Sequence, residues 1–199
     1  MFVIAVFFWS AAGPRELHTW AMEVFPALIA IPYLVWTHQH FRFTTLVYSL
    51  IAIHAVILII GGHYTYAEVP LFNWIRDANG FDRNYYDRIG HLAQGFIPAM
   101  IAREVLLRRI LLGKGPMLTF VVVSICMAIS SFYEILEFGI AKAIGDSAEN
   151  FLGTQGDVWD TQWDMTFCLI GATAALALLS KWHDQQLGHL PNAGVAGSP

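Results

Sequence analysis

Six apolar stretches follow one another along the chain and limit what it can fold into. Most of them approach the roughly 20 residues that an α-helix needs to cross the hydrocarbon core of a bilayer. The stretches lie at about residues 1–14, 20–37, 44–63, 84–103, 117–137 and 161–181. Because neither a repeat nor a linker separates them, the sequence predicts an all-α fold, a polytopic transmembrane helix bundle of about six helices.

The domain organisation follows from the same pattern. We predict a single transmembrane domain over residues 1–182. Residues 183–199 begin polar and then contain Gly, Ala and Pro, a composition typical of disorder, so we expect a disordered tail. The first twelve residues lack the basic segment that opens a secretory signal peptide, and we interpret them as the first helix.

Charge is scarce in this chain, and its distribution narrows the class of partner. Charged residues make up 13% of the sequence and the net charge is −4, whereas soluble domains average about 25% charged residues. The few basic residues form no continuous stripe, which argues against a nucleic acid partner. We therefore expect membrane lipid to be the partner of this protein.

Lysine and arginine counts in the short loops predict the orientation in the membrane. The loop after the fourth stretch is the most basic, with Arg108, Arg109 and Lys114 following Arg103. Basic loops stay on the cytoplasmic side of the membrane. Alternation of the helices then places both termini in the cytoplasm and the loops at 61–83 and 142–160 outside.

Depth counts from the cytoplasmic side bring several polar residues to one level. A helix crosses the hydrocarbon core in about 20 residues. Counted in this way, the third to sixth stretches reach the outer boundary near His63, Asn84, Leu136 and Thr161. Four separate counts therefore predict that the unusual polar residues of these helices meet at the outer end of the bundle.

The fourth and fifth stretches carry ionisable residues at this depth. Asp87, His91 and Gln94 are spaced i, i+4, i+7 and share one helix face. Glu134 and Glu137 lie one turn apart on the fifth stretch and repel each other unless a proton or a cation lies between them. Ionisable residues inside a membrane are costly and usually face the interior of a bundle.

Three more acids and a histidine complete the set. Asp157, Asp160 and Asp164 are spaced i, i+3, i+7 and lie on one stripe if the last helix begins early enough. His63 ends the third stretch. Because the six acids near this level outnumber the neighbouring cations, a divalent metal ion is the simplest compensation for their charge.

The sequence thus predicts a metal site with two further acids that act on a metal-bound water. Mixed histidine and carboxylate ligands suit zinc, manganese or iron, and a more oxygen-rich set suits calcium or magnesium. The predicted ligands are His63, Asp87, His91, Glu134, Asp160 and Asp164. The predicted catalytic residues, which serve as proton acceptors, are Glu137 and Asp157.

Structural roles for the same residues compete with this prediction. Asp87 has Arg88 and Arg83 within reach as ion-pair partners. Asp157 has the position of a helix cap. His63 is placed to close its helix. Independent structural roles for all eight residues are the less economical interpretation, because their predicted depths coincide.

Three functional hypotheses follow from this set. The first is a metal-dependent membrane enzyme that hydrolyses or modifies a lipid head group at the outer leaflet. The second is a proton- or cation-coupled transporter, since acids inside a membrane also mark ion paths. The third is a structural or regulatory membrane protein without catalysis.

Two segments resemble the YjdF family of bacterial inner-membrane proteins. They are Trp-Ala-Met-Glu-Val-Phe-Pro at 20–26 and Gly-Gly-His-Tyr-Thr-Tyr-Ala-Glu-Val-Pro at 61–70. The resemblance runs over most of the chain. It implies a membrane-embedded fold in the bacterial inner membrane, and it implies no particular chemistry.

A more distant similarity connects the polar residues with VanZ-like membrane proteins. Those proteins pair an Asp-basic-x-x-His run with Glu-x-x-Gln, and carry an Asp and an Asn on the last helix. The corresponding residues here are Asp87, His91, Glu134 and Asp160. This sequence departs from the pattern at Glu137, where Gln is expected, and at Asp164, where Asn is expected. Both departures add acid, which favours cation binding.

Overall fold

A computed structural model describes residues 2–144 and 154–190 as an all-α protein. Within these residues there are seven helices and no strand, which confirms the predicted fold class. The helices are α1 (Phe2–Ala11), α2 (Leu17–Thr37), α3 (Thr45–Tyr64), α4 (Pro70–Asn79), α5 (Tyr86–Arg108), α6 (Pro116–Ile144) and α7 (Asp160–Gly188). Helix α3 ends, and helices α5 and α7 begin, at the same end of the bundle. We call this the site end, and we call the other end of the bundle the opposite end.

Helix α5 is the centre of the bundle. The helices α2, α3, α6 and α7 are long and apolar enough to cross a membrane. Helix α5 carries charges near both of its ends, but its 23 residues extend over about 34 Å at 1.5 Å per residue, enough to span. It packs against α3, α6 and α7, and its contact with α7 is the most extensive in the bundle.

Two glycines allow α5 and α7 to approach closely. A Cβ atom on Gly95 of α5 would overlap the carbonyl oxygen of Cys168, and one on Gly171 of α7 would overlap that of Leu92. Small residues at helix contacts let backbones pack tightly inside membranes, where the hydrophobic effect does not drive helices together. The pair therefore fixes the register in which the polar residues of α5 and α7 face each other.

The apolar core lies at the middle of the bundle. Val47, Val122 and Cys168 are completely buried there, with Met100 at the same depth on α5. A smaller cluster around Val24 holds α1 and α2 against α3. This packed layer separates the polar residues at the two ends of α5.

Helix α4 was not among the predicted helices. It has only ten residues and is amphipathic, so no long apolar run marks it. Leu71 and Trp74 are exposed, whereas Phe72 packs edge-on against Tyr86. Tryptophan and leucine on one face of a short helix are typical of a helix that lies at the membrane interface.

The last helix is longer than predicted. It continues to Gly188, six residues beyond the predicted boundary at 182, and His183 is completely buried. Residues 183–188 therefore belong to the bundle, because His183 faces α5 rather than solvent. The predicted tail from 191 to 199, and the loop segment 145–153, lie outside the described residues.

Candidate functional site

Tyr66, in the turn that follows α3, lies at the site end of this helix. Thr65 and Tyr66 both adopt the left-handed conformation, with φ of 59° and 52°, and the Tyr66 amide donates to the Gly61 carbonyl at 2.8 Å. The ring of Tyr66 lies between Gly61 and Gly90, where added Cβ atoms would collide with it. Burial raises the pKa of the Tyr66 hydroxyl well above its ordinary value, and Glu23 beside it adds to the shift. Gly61 and Gly90 thus make room for this ring.

The structure brings Asp87 and His91 of α5 together with Asp164 of α7. One ligand atom from each residue lies within 4.8 Å of the others. His91 Nε2 is 3.5 Å from Asp87 Oδ1 and 3.5 Å from Asp164 Oδ1. All three residues are buried. We call these three residues the triad.

Two arginines take up the charge of the acids beside the triad. Arg83 Nη1 is 2.6 Å and Arg88 Nη2 is 2.7 Å from Asp160 Oδ1. Arg88 Nη1 makes a very short contact with Asp164 Oδ1. The Asp160 carboxylate is thus held between two guanidinium groups, and its role as a metal ligand stays a prediction.

Asp157, predicted as a catalytic residue, lies at the rim of the site. Its Oδ1 accepts a hydrogen bond from the Trp159 amide at 2.9 Å, just before α7 begins. Its Oδ2 is 3.2 Å from Arg88 Nη2 and 3.4 Å from Arg83 Nη1. The side chain caps the loop and pairs with the arginines, which is the structural role considered from the sequence.

His63 does not join the triad. Its Nδ1 is 2.8 Å from the Ser10 carbonyl oxygen, and its ring stacks at 4.5 Å on that of Trp9. This face of α3 points toward α1, whereas Gly61, two residues earlier, faces the ring of Tyr66. His63 therefore lies apart from the triad, and its role as a metal ligand stays a prediction.

Glu134 lies on the other side of His91. Its Oε1 is 3.9 Å from His91 Nδ1, and neither atom makes a hydrogen bond among the described residues. Asp87 Oδ2 makes none either, although it lies 3.6 Å from Arg83 Nη2. Buried polar atoms without hydrogen bonds are rare in folded proteins, and several together indicate a site for a ligand or an ion.

A cavity of about 170 Å³ borders the triad. Asp87 and His91 line it, and Glu137 of α6 and Glu23 of α2 line it from two other helices. The remaining lining near the acids is Tyr66, Gly90, Gln94 and Tyr133. The structure thus brings Glu137 to the same cavity as the triad, as the depth counts predicted.

A second, apolar cleft of about 240 Å³ continues from this cavity. The two share Pro26, His54 and Leu58 as lining residues. The rest of the cleft is lined mainly by aliphatic and aromatic residues of α2 and α3, together with Ile101 of α5. A largely apolar cavity with acids and His91 in its wall is thereby joined to a cleft without acids within the membrane-spanning part of the bundle.

Three residues of this site were not assigned from the sequence. Glu23, Tyr66 and Tyr133 all line the cavity, and Glu23 is more than nine-tenths buried. The signal for Glu23 was present, because an acid inside the apolar stretch at 20–37 is expensive unless it faces a polar interior. Tyr66 had no such signal, since its position depends on the turn after α3.

Comparison with known proteins gives the family. Residues 1–185 match the model of a predicted membrane protein family, DUF2238. The chain is 41% identical over 182 residues to the inner membrane protein YjdF of Escherichia coli (strain K12), covering 92% of this chain and 87% of that protein. No solved structure matches the chain significantly. This protein is therefore an integral membrane protein that belongs to the DUF2238 family.

Proposed function

We propose that this protein is a metal-dependent enzyme of the bacterial inner membrane that hydrolyses a lipid head group at the outer leaflet. The observation that carries the proposal is the triad of Asp87, His91 and Asp164, two members of which line a cavity that continues as an apolar cleft.

The spacing of the triad suits a transition metal. Zinc binds histidine nitrogen and carboxylate oxygen at about 2.0–2.2 Å, so the ligand atoms of a tetrahedral site lie about 3.3–3.6 Å apart. His91 Nε2 lies 3.5 Å from both carboxylate oxygens. The two carboxylates and one imidazole suit zinc, manganese or iron, whereas calcium and magnesium need more oxygen ligands.

The residues around the triad supply the other parts of a hydrolytic site. The bound metal would lower the pKa of a coordinated water and provide a nucleophile. Glu137, which lines the cavity beside the triad, would accept the proton of the attacking water. The water oxygen would form the new bond at the head-group ester, and the departing oxygen would leave with the proton that Glu137 returns. Arg88 contacts Asp164 Oδ1, the same oxygen that lies 3.5 Å from His91 Nε2, so a metal would share this oxygen with the guanidinium or bind the other oxygen of the carboxylate.

The apolar cleft supports a lipid as the substrate. A head group in the cavity has its acyl chain directly beside the cleft that starts at Pro26 and Leu58. This continuation also weakens the transport hypothesis, since an ion path would need polar groups in the same direction. His54 is the one ionisable residue that lines both spaces.

The loop charges support an orientation, and the relative supports the inner membrane as the location. The basic residues Arg108, Arg109 and Lys114 follow the opposite end of α5, which puts that end and both termini in the cytoplasm. The site end then faces the outer leaflet. Exposed Trp74, Trp159 and Trp163 surround the site end, at the level where tryptophan is enriched in membrane proteins.

Metal content tests the proposal. The protein is purified in detergent without chelator, and bound metal is measured by mass spectrometry in wild type, Asp87→Asn and Asp164→Asn. The matched control is Asp77→Asn, which removes an exposed carboxylate of α4. We expect about one transition metal ion per chain in wild type and control, and loss of it in both triad variants.

The same preparations are then tested for hydrolysis of mixed bacterial lipids, with and without metal stripping. We expect turnover that disappears with the metal and in both triad variants. A folded wild type without metal would overturn the metal centre and favour a proton-carrying acid cluster. Hydrolysis that survives stripping would overturn the mechanism.

A further inference from the structure

We infer that a pocket at the opposite end of the bundle binds the head group of an anionic phospholipid, with Arg109 as the residue that contacts its phosphate. This pocket has a volume of about 370 Å³ and lies between the end of α2, the loop that follows α2 and the end of α5. Tyr33, His40, Phe43 and Arg109 are among its lining residues, and we call it the basic pocket. The inference is independent of the proposed function, since the triad lies at the other end of α5.

The Arg109 side chain is held at the wall of the basic pocket. Its Nη2 donates to the His40 carbonyl oxygen at 3.0 Å, and its guanidinium carbon lies 5.1 Å from the centre of the Phe41 ring. Arg108 lies over the same ring at 4.1 Å. A basic residue that only sets the orientation in a membrane needs charge in the loop, but neither these contacts nor a cavity. Arg109 is therefore positioned as a residue that binds a ligand is positioned.

Positive charge at the opposite end is only partly balanced by acids. Among the described residues, six basic side chains lie there against two acidic ones, Glu104 and Asp184. The basic residues are Arg42, Arg103, Arg108, Arg109, Lys114 and Lys181. Asp184 pairs with two of these six and Glu104 with a third.

Arg109 is one of the basic residues that stay without a carboxylate partner in the described part of the chain. Its hydrogen bond to His40 uses one of the five N–H groups of the guanidinium. The planar fork of an arginine binds two phosphate oxygens at once. The charge and the free donors of Arg109 therefore complement a phosphate in the pocket.

The basic pocket joins the apolar cleft, which favours a lipid over a free anion. Tyr33 and Phe43 line both spaces, and the cleft continues along Ile51 and Ile101. A phosphate at Arg109 therefore has room for an acyl chain directly beside it. Because the acyl chains of the two leaflets meet in the middle of a bilayer, this chain enters the cleft from the end that lies farther from the triad.

Exposed aromatic rings place the basic pocket at the level of lipid head groups. Trp36 and Tyr33 are 71% and 57% exposed, and their ring centres are 6.1 Å apart. Tryptophan and tyrosine are enriched where the hydrocarbon core meets the head groups. Basic pockets between membrane helices bind anionic head groups on the cytoplasmic side of other proteins. The depth of the pocket thus agrees with its charge.

Native mass spectrometry of the full chain in detergent, with a chelator present, tests the inference. The protein is titrated with phosphatidylglycerol and with phosphatidylethanolamine of identical acyl chains. The second lipid carries an ammonium group that offsets its phosphate, so the comparison isolates the net charge. We expect wild type to bind phosphatidylglycerol at least about fivefold more tightly, which corresponds to the contribution of about one arginine near a membrane surface.

Four variants locate the preference. Arg109→Gln should abolish it, whereas Lys181→Gln should keep it, since this substitution removes the same charge from an exposed side chain at the same end that does not line the pocket. Val105→Phe leaves every charge in place and fills part of the pocket, and it should also lose the preference. Asp87→Asn alters the triad and should keep it.

Three outcomes would overturn the inference. The first is equal binding of the two lipids by wild type. The second is a preference that persists in Arg109→Gln, or in Val105→Phe, where it would reflect surface charge without a pocket. The third is a preference lost in Asp87→Asn, which would put the lipid at the site end.

A competition in the wild type needs no variant to fold. Sodium phosphate should leave phosphatidylglycerol bound to the same extent as sodium chloride at equal ionic strength, because inorganic phosphate makes no contact with the apolar cleft. Displacement of the lipid by phosphate alone would show a site for free anions and would overturn the assignment to a lipid.

Discussion

Helix α5 carries one polar cluster near each of its ends, and the two clusters differ in how completely their atoms are paired. At the site end, Asp87 and His91 face α7. At the opposite end, Glu104 faces His183 of the same helix α7. His91 and Glu104 are 13 residues apart in α5, about 20 Å along the helix. The same two helices therefore hold both clusters, in the same protein interior.

The opposite end is fully hydrogen-bonded. Glu104 is completely buried and accepts from the Thr44 amide at 3.0 Å, the Thr44 hydroxyl at 2.8 Å and Arg108 at 2.6 Å. His183 Nε2 lies 2.9 Å from Glu104 Oε2, and its Nδ1 lies 2.8 Å from Arg103 Nη1. Arginine is always a donor, so His183 is neutral and donates through Nε2.

The site end has the opposite character. His91 Nδ1, Asp87 Oδ2 and Glu134 Oε1 are buried without hydrogen bonds among the described residues, and a cavity lies beside them. Fully paired polar networks stabilise and specify a fold, whereas partly paired ones are retained for another reason. The comparison indicates that the opposite end holds the bundle together, and it supports the proposal that the site end binds a ligand.

The largest expected effect is on stability, from Glu104→Gln. The amide keeps the shape but loses the charge that pairs with Arg108, and its NH₂ group faces hydrogen-bond donors. We expect unfolding to become easier by about 3 kcal/mol, which lowers Tm by roughly 6–12 °C for a chain of this size. Thermal unfolding in detergent, followed by circular dichroism, measures this.

The control for Glu104→Gln is its metal content. The fraction that remains folded should bind as much metal as wild type, since the variant lies about 20 Å from the triad. A Tm within 2 °C of wild type would contradict the structural role given to the opposite end.

A matched pair of histidines separates the two ends more directly. His183→Gln leaves either Arg103 or Glu104 without its partner, and we expect a loss of about 2 kcal/mol. His91→Gln removes a side chain whose Nδ1 has no hydrogen bond, and we expect a change of less than about 1 kcal/mol. Both are measured with a chelator present, so that metal binding does not add to the stability of wild type.

Equal losses from the two substitutions would break the comparison. His91 would then be as structural as His183, and the unpaired atoms at the site end would have no functional meaning. If His91→Gln were more stable than wild type, the contrast between the two ends would be stronger, because sites kept for function are often not optimal for stability.

A smaller effect is expected from Arg88→Lys. The guanidinium contacts Asp160 and Asp164 at once, whereas a lysine ammonium reaches one of them well. We expect a stability loss of about 1–2 kcal/mol and a metal affinity lowered by about tenfold, as for other supporting residues. Titration of the metal-stripped protein with zinc measures the affinity; an unchanged affinity would show that Arg88 does not orient Asp164.

The sequence predicted the helices better than it predicted the partners of the charges. Length and hydropathy are properties of each stretch alone, so five of the six predicted stretches match long helices and the first matches the short α1. Depth counts brought Asp87, His91, Glu134 and Asp164 together for the same reason. Helix α4 was missed because a short amphipathic helix leaves no long apolar run.

Side-chain direction explains why the sequence did not reveal the contacts of Asp160 and His63. A count of acids and bases does not reveal that Arg83 and Arg88 point inward to Asp160, nor that His63 points toward α1. The cluster of Glu104 and His183 at the opposite end was not predicted, because His183 follows the last apolar stretch and was assigned to the tail. The i, i+4 pair of Glu104 and Arg108 was the available signal.

The smallest expected effect, from Asp157→Asn, tests where the site stops. Asparagine keeps the oxygen that accepts from the Trp159 amide, and the ion pairs it loses involve a side chain that is 25% exposed. We expect a stability change of about 0.5 kcal/mol and full metal content and lipid hydrolysis, with Glu137→Gln as the contrasting variant that loses hydrolysis. If Asp157→Asn also loses hydrolysis while it keeps its metal and its Tm, Asp157 takes part in the reaction as the sequence suggested, and the rim belongs to the functional rather than the structural part of the site end.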